Sequence, residues 1–112
     1  MARTGCYIEF DLFGLETSYF PTNLDFDMPN DATRVKVIHE LVQRGYGEKI
    51  LVSSDMGMRY HRKRFGGWGY DHILLQVVPL MLRRGLTQAQ IDDILIHNPA
   101  RVLARSAPEP VV

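Results

Sequence analysis

At 112 residues the chain is long enough for one domain with a real core and too short for two ordinary ones. Hydrophobic residues at 46% and charged residues at 23% exclude a disordered composition, and no apolar run reaches the roughly 20 residues of a membrane span. Formal net charge is zero, with 13 bases against 13 acids, so bulk charge does not point to a nucleic-acid or membrane partner.

The charge is unevenly spread. Residues 1–31 carry six acids against Arg3, and 32–112 carry twelve bases against seven acids. The first residues, "MARTGCYIEF", pass directly into strand-like sequence without the apolar core of a signal peptide, so a cytoplasmic protein is expected. The single cysteine, Cys6, has no internal partner and is expected in the core.

In chain order, "CYIEFDLFG" predicts a strand over about residues 6–11. The following "LETSYFPTNLDFDMPN" shows no sustained period and contains Pro21 and Pro29, which predicts a long loop. Asn30 or Asp31 then caps a helix to about Arg44, with Val35, Ile38, Leu41 and Val42 on one face and Gly45 as its stop. "ILV" at 50–52 is a short apolar run that suits a parallel strand buried on both faces. Strand, helix and strand form a βαβ unit.

A second long loop runs from Met56 to about Tyr70, and a helix follows from Asp71 to Arg84, bent at Pro79 and ended by Gly85. Thr87 and Gln90 have capping-box spacing ahead of "IDDILI"; Asn98-Pro99 reads as a cap with proline at the first position of a last short helix. Residues 1–112 therefore read as one α/β unit, with 105–112 a flexible tail. In parallel α/β sheets ligands bind beyond the carboxyl ends of the strands, which directs attention to Asp11–Asn30 and Asp55–Tyr70.

Asp55 is the first candidate, an acid just past an apolar strand. A carboxylate there can ligate a divalent metal or take a proton, and a turn or cap residue looks the same locally. Asp11 holds the matching place after the first strand and suits either a partner that orients a ligand or a simple ion pair. Arg59, His61, Arg62, Lys63 and Arg64, with Gly66, Gly67 and Gly69, fit a phosphate-recognising loop or a solvated charge run; no nucleotide-binding glycine motif opens a helix here. His72 is the histidine best placed to line a pocket, and the four histidines cannot assemble a metal site among themselves.

"YIEFDLFG", "DMPND", "ILVSSD", "FGGWGYDHI", "VVPLMLRRG" and "ILIHNPARVLA", in that order, resemble the C-terminal part of the phosphotriesterase family of the amidohydrolase superfamily, most closely its phosphotriesterase-related branch, over about residues 3–104. The resemblance implies the last strands, seven and eight, of a (β/α)8 TIM barrel, with residues 6–11 on strand seven and 50–54 on strand eight.

It further implies that Asp55 is both a ligand to a divalent metal, usually zinc in a binuclear centre, and the proton acceptor of a hydrolase for small ester, lactone or phosphoester substrates. Met56, Arg59, Tyr60, Trp68 and His72 would bind substrate, Asp11 would stand behind the metal site, and Asn98-Pro99-Ala100 would be structural. The family's other ligands belong to strands one to six. A whole barrel takes roughly 250 residues, so this chain is expected to be a fragment beginning at an internal methionine, inactive alone and without tight metal. Self-association through open sheet edges is expected with it. The rival expectation is a non-catalytic binding module that uses loop 59–64 for an anionic partner.

Overall fold

The computed structural model describes residues 4–105. Along the chain run β1 (Ile8–Phe10), β2 (Tyr19–Phe20), β3 (Asn23–Asp27), α1 (Asp31–Gln43), β4 (Ile50–Val52), α2 (Val78–Arg83), α3 (Gln88–Asp92) and α4 (Asn98–Leu103). Strands β1 and β4 pair in parallel, with Ile8 opposite Ile50, Glu9 opposite Leu51 and Phe10 opposite Val52. The ladder continues past both strands, where the Ser53 N–H donates to the Phe10 carbonyl at 3.0 Å and the Phe13 N–H to the Ser53 carbonyl at 3.2 Å.

The crossover between the strands is α1. Asn30 caps it, its side chain accepting from the Thr33 N–H at 2.8 Å, and Gly45, with φ of 89°, takes the left-handed position just past its end. Asp31, Arg34, Val35, Ile38 and Val42 are buried along one helical face. Of these, Val35, Ile38 and Val42 meet Phe13, Ile50, Val77, Met81, Leu86, Ile91 and Ile94 in a single core on one side of the sheet. Ile50 is fully buried, but Leu51 and Val52 are only half-buried, so β4 is not enclosed on both faces as its composition suggests.

The segment expected to be a structureless loop contains a hairpin. Strands β2 and β3 pair antiparallel with a register shift between Tyr19 and Phe20, and Phe20 meets Phe26 edge to face at 6.4 Å. The alternation in "NLDFD" is only five residues long and every residue of β3 is exposed, which is too weak a pattern to stand out beside two prolines.

The helices after β4 are shaped by two prolines. Pro79 has no N–H for the Leu75 carbonyl, and the helix widens ahead of it into a π stretch, Ile73–Val77, in which the Val78 N–H reaches back to the Ile73 carbonyl. Pro99 does the same to Asp93–His97, where the Asn98 N–H bonds the Asp93 carbonyl. The capping box of Thr87 and Gln90 opens α3 as its spacing predicts.

Asn98, expected to cap a separate helix, instead has helical φ and ψ of −65° and −48°, so α3 runs through the π stretch into α4 without a break. Its fully buried side chain donates to the Gly47 carbonyl at 2.7 Å and the Ile50 carbonyl at 2.8 Å, and accepts from Arg101. This pins the last helix to the start of β4. Cys6 is exposed rather than in the core, because it lies two residues before β1 where no helix covers the chain. Of the expected tail, all but Arg105 lies outside the described residues.

Much apolar surface faces outward, including Leu24 at 73%, Leu74 at 64% and Ile96 at 57% exposure. The radius of gyration is 16.1 Å, where a compact domain of about this length has roughly 13 Å. The core is one-sided, and single hydrogen-bonded pins should matter more than usual. Asn98→Ala leaves two carbonyls without their donors and is expected to cost about 2–3 kcal/mol, read as a lower urea midpoint at unchanged slope. A change below about 0.5 kcal/mol would contradict the pin.

Candidate functional site

The site lies where the two parallel strands end, and one buried carboxylate organises it. Because Asn30 does the capping, Asp31 is free to turn inward from the first helical turn, where the helix dipole favours an anion. Its Oδ1 accepts from the Gly14 N–H at 2.9 Å and from Arg34 Nη1 at 3.0 Å; its Oδ2 meets His72 Nε2 at 2.7 Å. An ionised carboxylate only accepts, so His72 carries its proton on Nε2 at this contact. Asp31 and Arg34 are 7% and 4% exposed, which makes this a buried ion pair with a third donor attached. The Asp31 N–H also reaches Glu16 Oε1 at 3.1 Å.

Gly14 belongs to the loop after β1, and His72 closes the loop after β4. Asp31 therefore ties both strand-end loops to α1. A second contact joins them directly: Gly14 has φ of 99° and is buried under the Trp68 indole, which occupies the place a Cβ would take. Trp68 stacks in turn on His61, with ring centroids 4.4 Å apart. His61 is buried, and its Nδ1 accepts from the Met58 N–H at 3.4 Å, which leaves the proton on Nε2. Gly67 passes so close to the Tyr60 and His61 carbonyls that a Cβ there would strike the backbone.

Lys63 closes the loop from outside, with its Nζ 2.5 Å from Asp71 Oδ2. That hydrogen bond holds the Asp71 carboxyl below the usual carboxylate value.

Asp55 stands two residues beyond the last ladder bond, with φ of 46°, a left-handed backbone that few non-glycine residues take. Its side chain is exposed, and among the described residues neither it nor Asp11, also exposed, has a hydrogen-bond or ion-pair partner. Beside the end of β1, Asp11, Phe10, Phe20, Phe26 and Arg34 line an open cavity of about 500 Å³. No group of three metal-ligating side chains exists among the described residues.

The expected substrate residues divide in two. Arg59 and Tyr60 lie on the surface and Met56 is half-buried, whereas Trp68 and His72 point into the fold and hold the loop in place. Asp31 and Arg34 were not singled out by the sequence as members of the site, and His61, read there as part of the basic run, is instead buried and stacked on Trp68. Asp31 looked like a cap, and only the i, i+3 spacing of Asp31 and Arg34 signalled an ion pair.

Parallel strands joined by a helix, with polar residues collected at their carboxyl ends, define a βαβ unit of an α/β scaffold. Residues 1–103 match the model of the phosphotriesterase family, and the chain belongs to that family. It is 50% identical over 99 residues to a phosphotriesterase-related protein of Nematostella vectensis, covering 88% of this chain and 28% of the relative. It is 48% identical over 102 residues to an N-acetyltaurine hydrolase of Salmo salar, covering 91% and 29%. A crystal structure of a resiniferatoxin-binding protein from Rhodobacter sphaeroides superposes with a TM-score of 0.83 at 31% identity, covering 90% of this chain and 28% of that one. The chain thus spans under a third of the length of the relatives it matches. Its fold is the C-terminal part of a (β/α)8 barrel, with β1 and β4 as the last two strands.

Trp68 is the only tryptophan, so its fluorescence reports the contact between the loops. Gly14→Ala places a methyl group where the indole lies and strains a left-handed backbone. The expected result is a red-shifted Trp68 emission with a stability loss of about 1–3 kcal/mol. Unchanged emission would show that the loops do not meet in this way.

Proposed function

We propose that this chain is the Asp55-bearing portion of a metal-dependent hydrolase acting on small ester, lactone, phosphoester or N-acetylated substrates. The observation that carries the reading is the unpartnered Asp55 carboxylate, held by a left-handed backbone at the mouth of a parallel strand in a chain of this family. Aspartate is one of the few non-glycine residues that enter this region, so the reading rests on the place of the carboxylate after the strand and on its lack of a partner among the described residues. The relatives named N-acetyltaurine hydrolase support a small-molecule substrate.

The described side chains do not by themselves fit a metal. Zinc takes about four ligands, and Asp55 offers one carboxylate with no second and third ligand grouped beside it among the described residues. What Asp55 supplies is one oxygen ligand and a proton acceptor, and an acid free of other partners can perform either role. The network around Asp31 contributes by setting the loop on which Asp55, Arg59 and Trp68 lie. In this reading the 112-residue chain is inactive until the preceding part of the barrel joins it.

Co-expression with the portion of the Nematostella vectensis relative that precedes its matched region tests this. Zinc-dependent hydrolysis from a panel of aryl esters, lactones and N-acetyltaurine is expected from the pair and not from the chain alone. Asp55→Asn should lower the rate of the pair by about 10²-fold or more. Turnover by the isolated chain, or a rate indifferent to Asp55→Asn, would overturn the assignment.

A further inference from the structure

The hairpin after β1 and the loop after β4 carry opposite charges that the hydrolase reading leaves idle. Strand β3 is exposed along its whole length, and its alternation sets Asp25 and Asp27 on one face and Leu24 and Phe26 on the other. Tyr19 lies opposite Asp27 across the hairpin and so shares its face. Phe26 lines the cavity together with Phe20, whereas Tyr19, Asp25 and Asp27 do not. Among the described residues neither Asp25 nor Asp27 has an ion-pair partner.

In the second loop Arg59, Arg62 and Arg64 are exposed and likewise have no carboxylate partner among the described residues. Their guanidinium carbons lie between 5.5 and 5.9 Å from the centre of the Phe65 ring, which makes them one patch, with the exposed Tyr60 on the same loop. The loop's one lysine, Lys63, is tied to Asp71. Arginine with exposed tyrosine and phenylalanine is the composition enriched at protein interfaces, where free lysine is depleted. Exposed ion pairs contribute little by themselves, so a partner has to cover the rings together with the charges.

The acidic face and the arginine patch belong to loops that leave the same end of the two strands, and Trp68 meets Gly14 between them. Among the described residues no ion pair joins the two within the chain. A two-fold axis at this end brings the hairpin of each copy to the arginine loop of the other, so the contact is made twice and the assembly closes. We propose that this end of the molecule is a dimer interface in which Asp25 and Asp27 pair with Arg62 and Arg64 of a second copy of the chain. One sequence thereby supplies both halves of the contact, and zero net charge leaves no overall repulsion between the copies. Neither Asp55 nor Arg34 takes part, so the interface does not depend on the hydrolase assignment.

Sedimentation velocity of the 112-residue chain at low ionic strength, over a range of concentrations, tests the interface. A reversible monomer–dimer equilibrium without larger species is expected, with the dimer at least tenfold weaker when salt is raised. Arg62→Glu/Arg64→Glu and Asp25→Lys/Asp27→Lys should each be monomeric alone, and an equimolar mixture of the two should form a one-to-one dimer, since both contacts are then restored with their signs exchanged. Recovery in the mixture also shows that both variants are folded. A wild-type chain that stays monomeric, or reversed variants that stay monomeric when mixed, would overturn the proposal. A dimer indifferent to salt and to both reversals would overturn it too, and would assign association to the open strand edges or to the outward Leu74 and Ile96.

Discussion

A carboxylate buried at the first turn of a helix is the constraint on which the arrangement of this molecule depends. Asp31 accepts from the Gly14 N–H, Arg34 and His72, three groups that lie on three different segments: the loop after β1, α1, and the start of the helix after β4. Hydrogen bonds to a charged group contribute about 1.5–3 kcal/mol each, and removing one partner of a buried pair costs about 3–5 kcal/mol. The parallel ladder has three residues on each strand. Such a short ladder does not define the course of long loops, so the side-chain network has to.

The same economy appears at the other end of the strands. Asn98 fastens α4 to the carbonyls of Gly47 and Ile50, and the π stretches ahead of Pro79 and Pro99 change the rotation of the helices that bring such residues onto the core. Asn98 and Asp31 thus hold opposite ends of one βαβ unit. Between them β1 and β4 stay in register, and the turn at Asp55 is set by what surrounds it. The outward-facing Leu74 and Ile96 agree with a unit that is part of a larger barrel in its family.

The local rules were legible where one physical cause dominates. "ILV" gave a parallel strand, the spacing of Val35, Ile38 and Val42 gave the buried face of α1, and Gly45 and the Thr87 capping box gave helix ends. What was hidden depends on distant partners. Asp31 and Asn98 both looked like caps, because a short polar side chain beside a helix start is the same pattern whether it bonds its own helix or a residue 17 or 48 positions away. Cys6 was misplaced for a related reason, since apolar neighbours in sequence do not supply a covering element in space. At the candidate site, Asp55 could be found from its place after the strand, but its left-handed φ could not. The inward roles of Trp68 and His72 needed Gly14 and Asp31 to be seen beside them.

If one carboxylate couples the two strand-end loops, removing it should loosen both together while the strands themselves hold. Hydrogen exchange followed residue by residue in Asp31→Ala is the most direct measurement of this. The expected result is faster exchange at Gly14 and across residues 58–75, with the amide of Ser53 in the β1–β4 ladder still protected. Loss of protection confined to the first turn of α1 would contradict the account, because Asp31 would then be only a local helix residue.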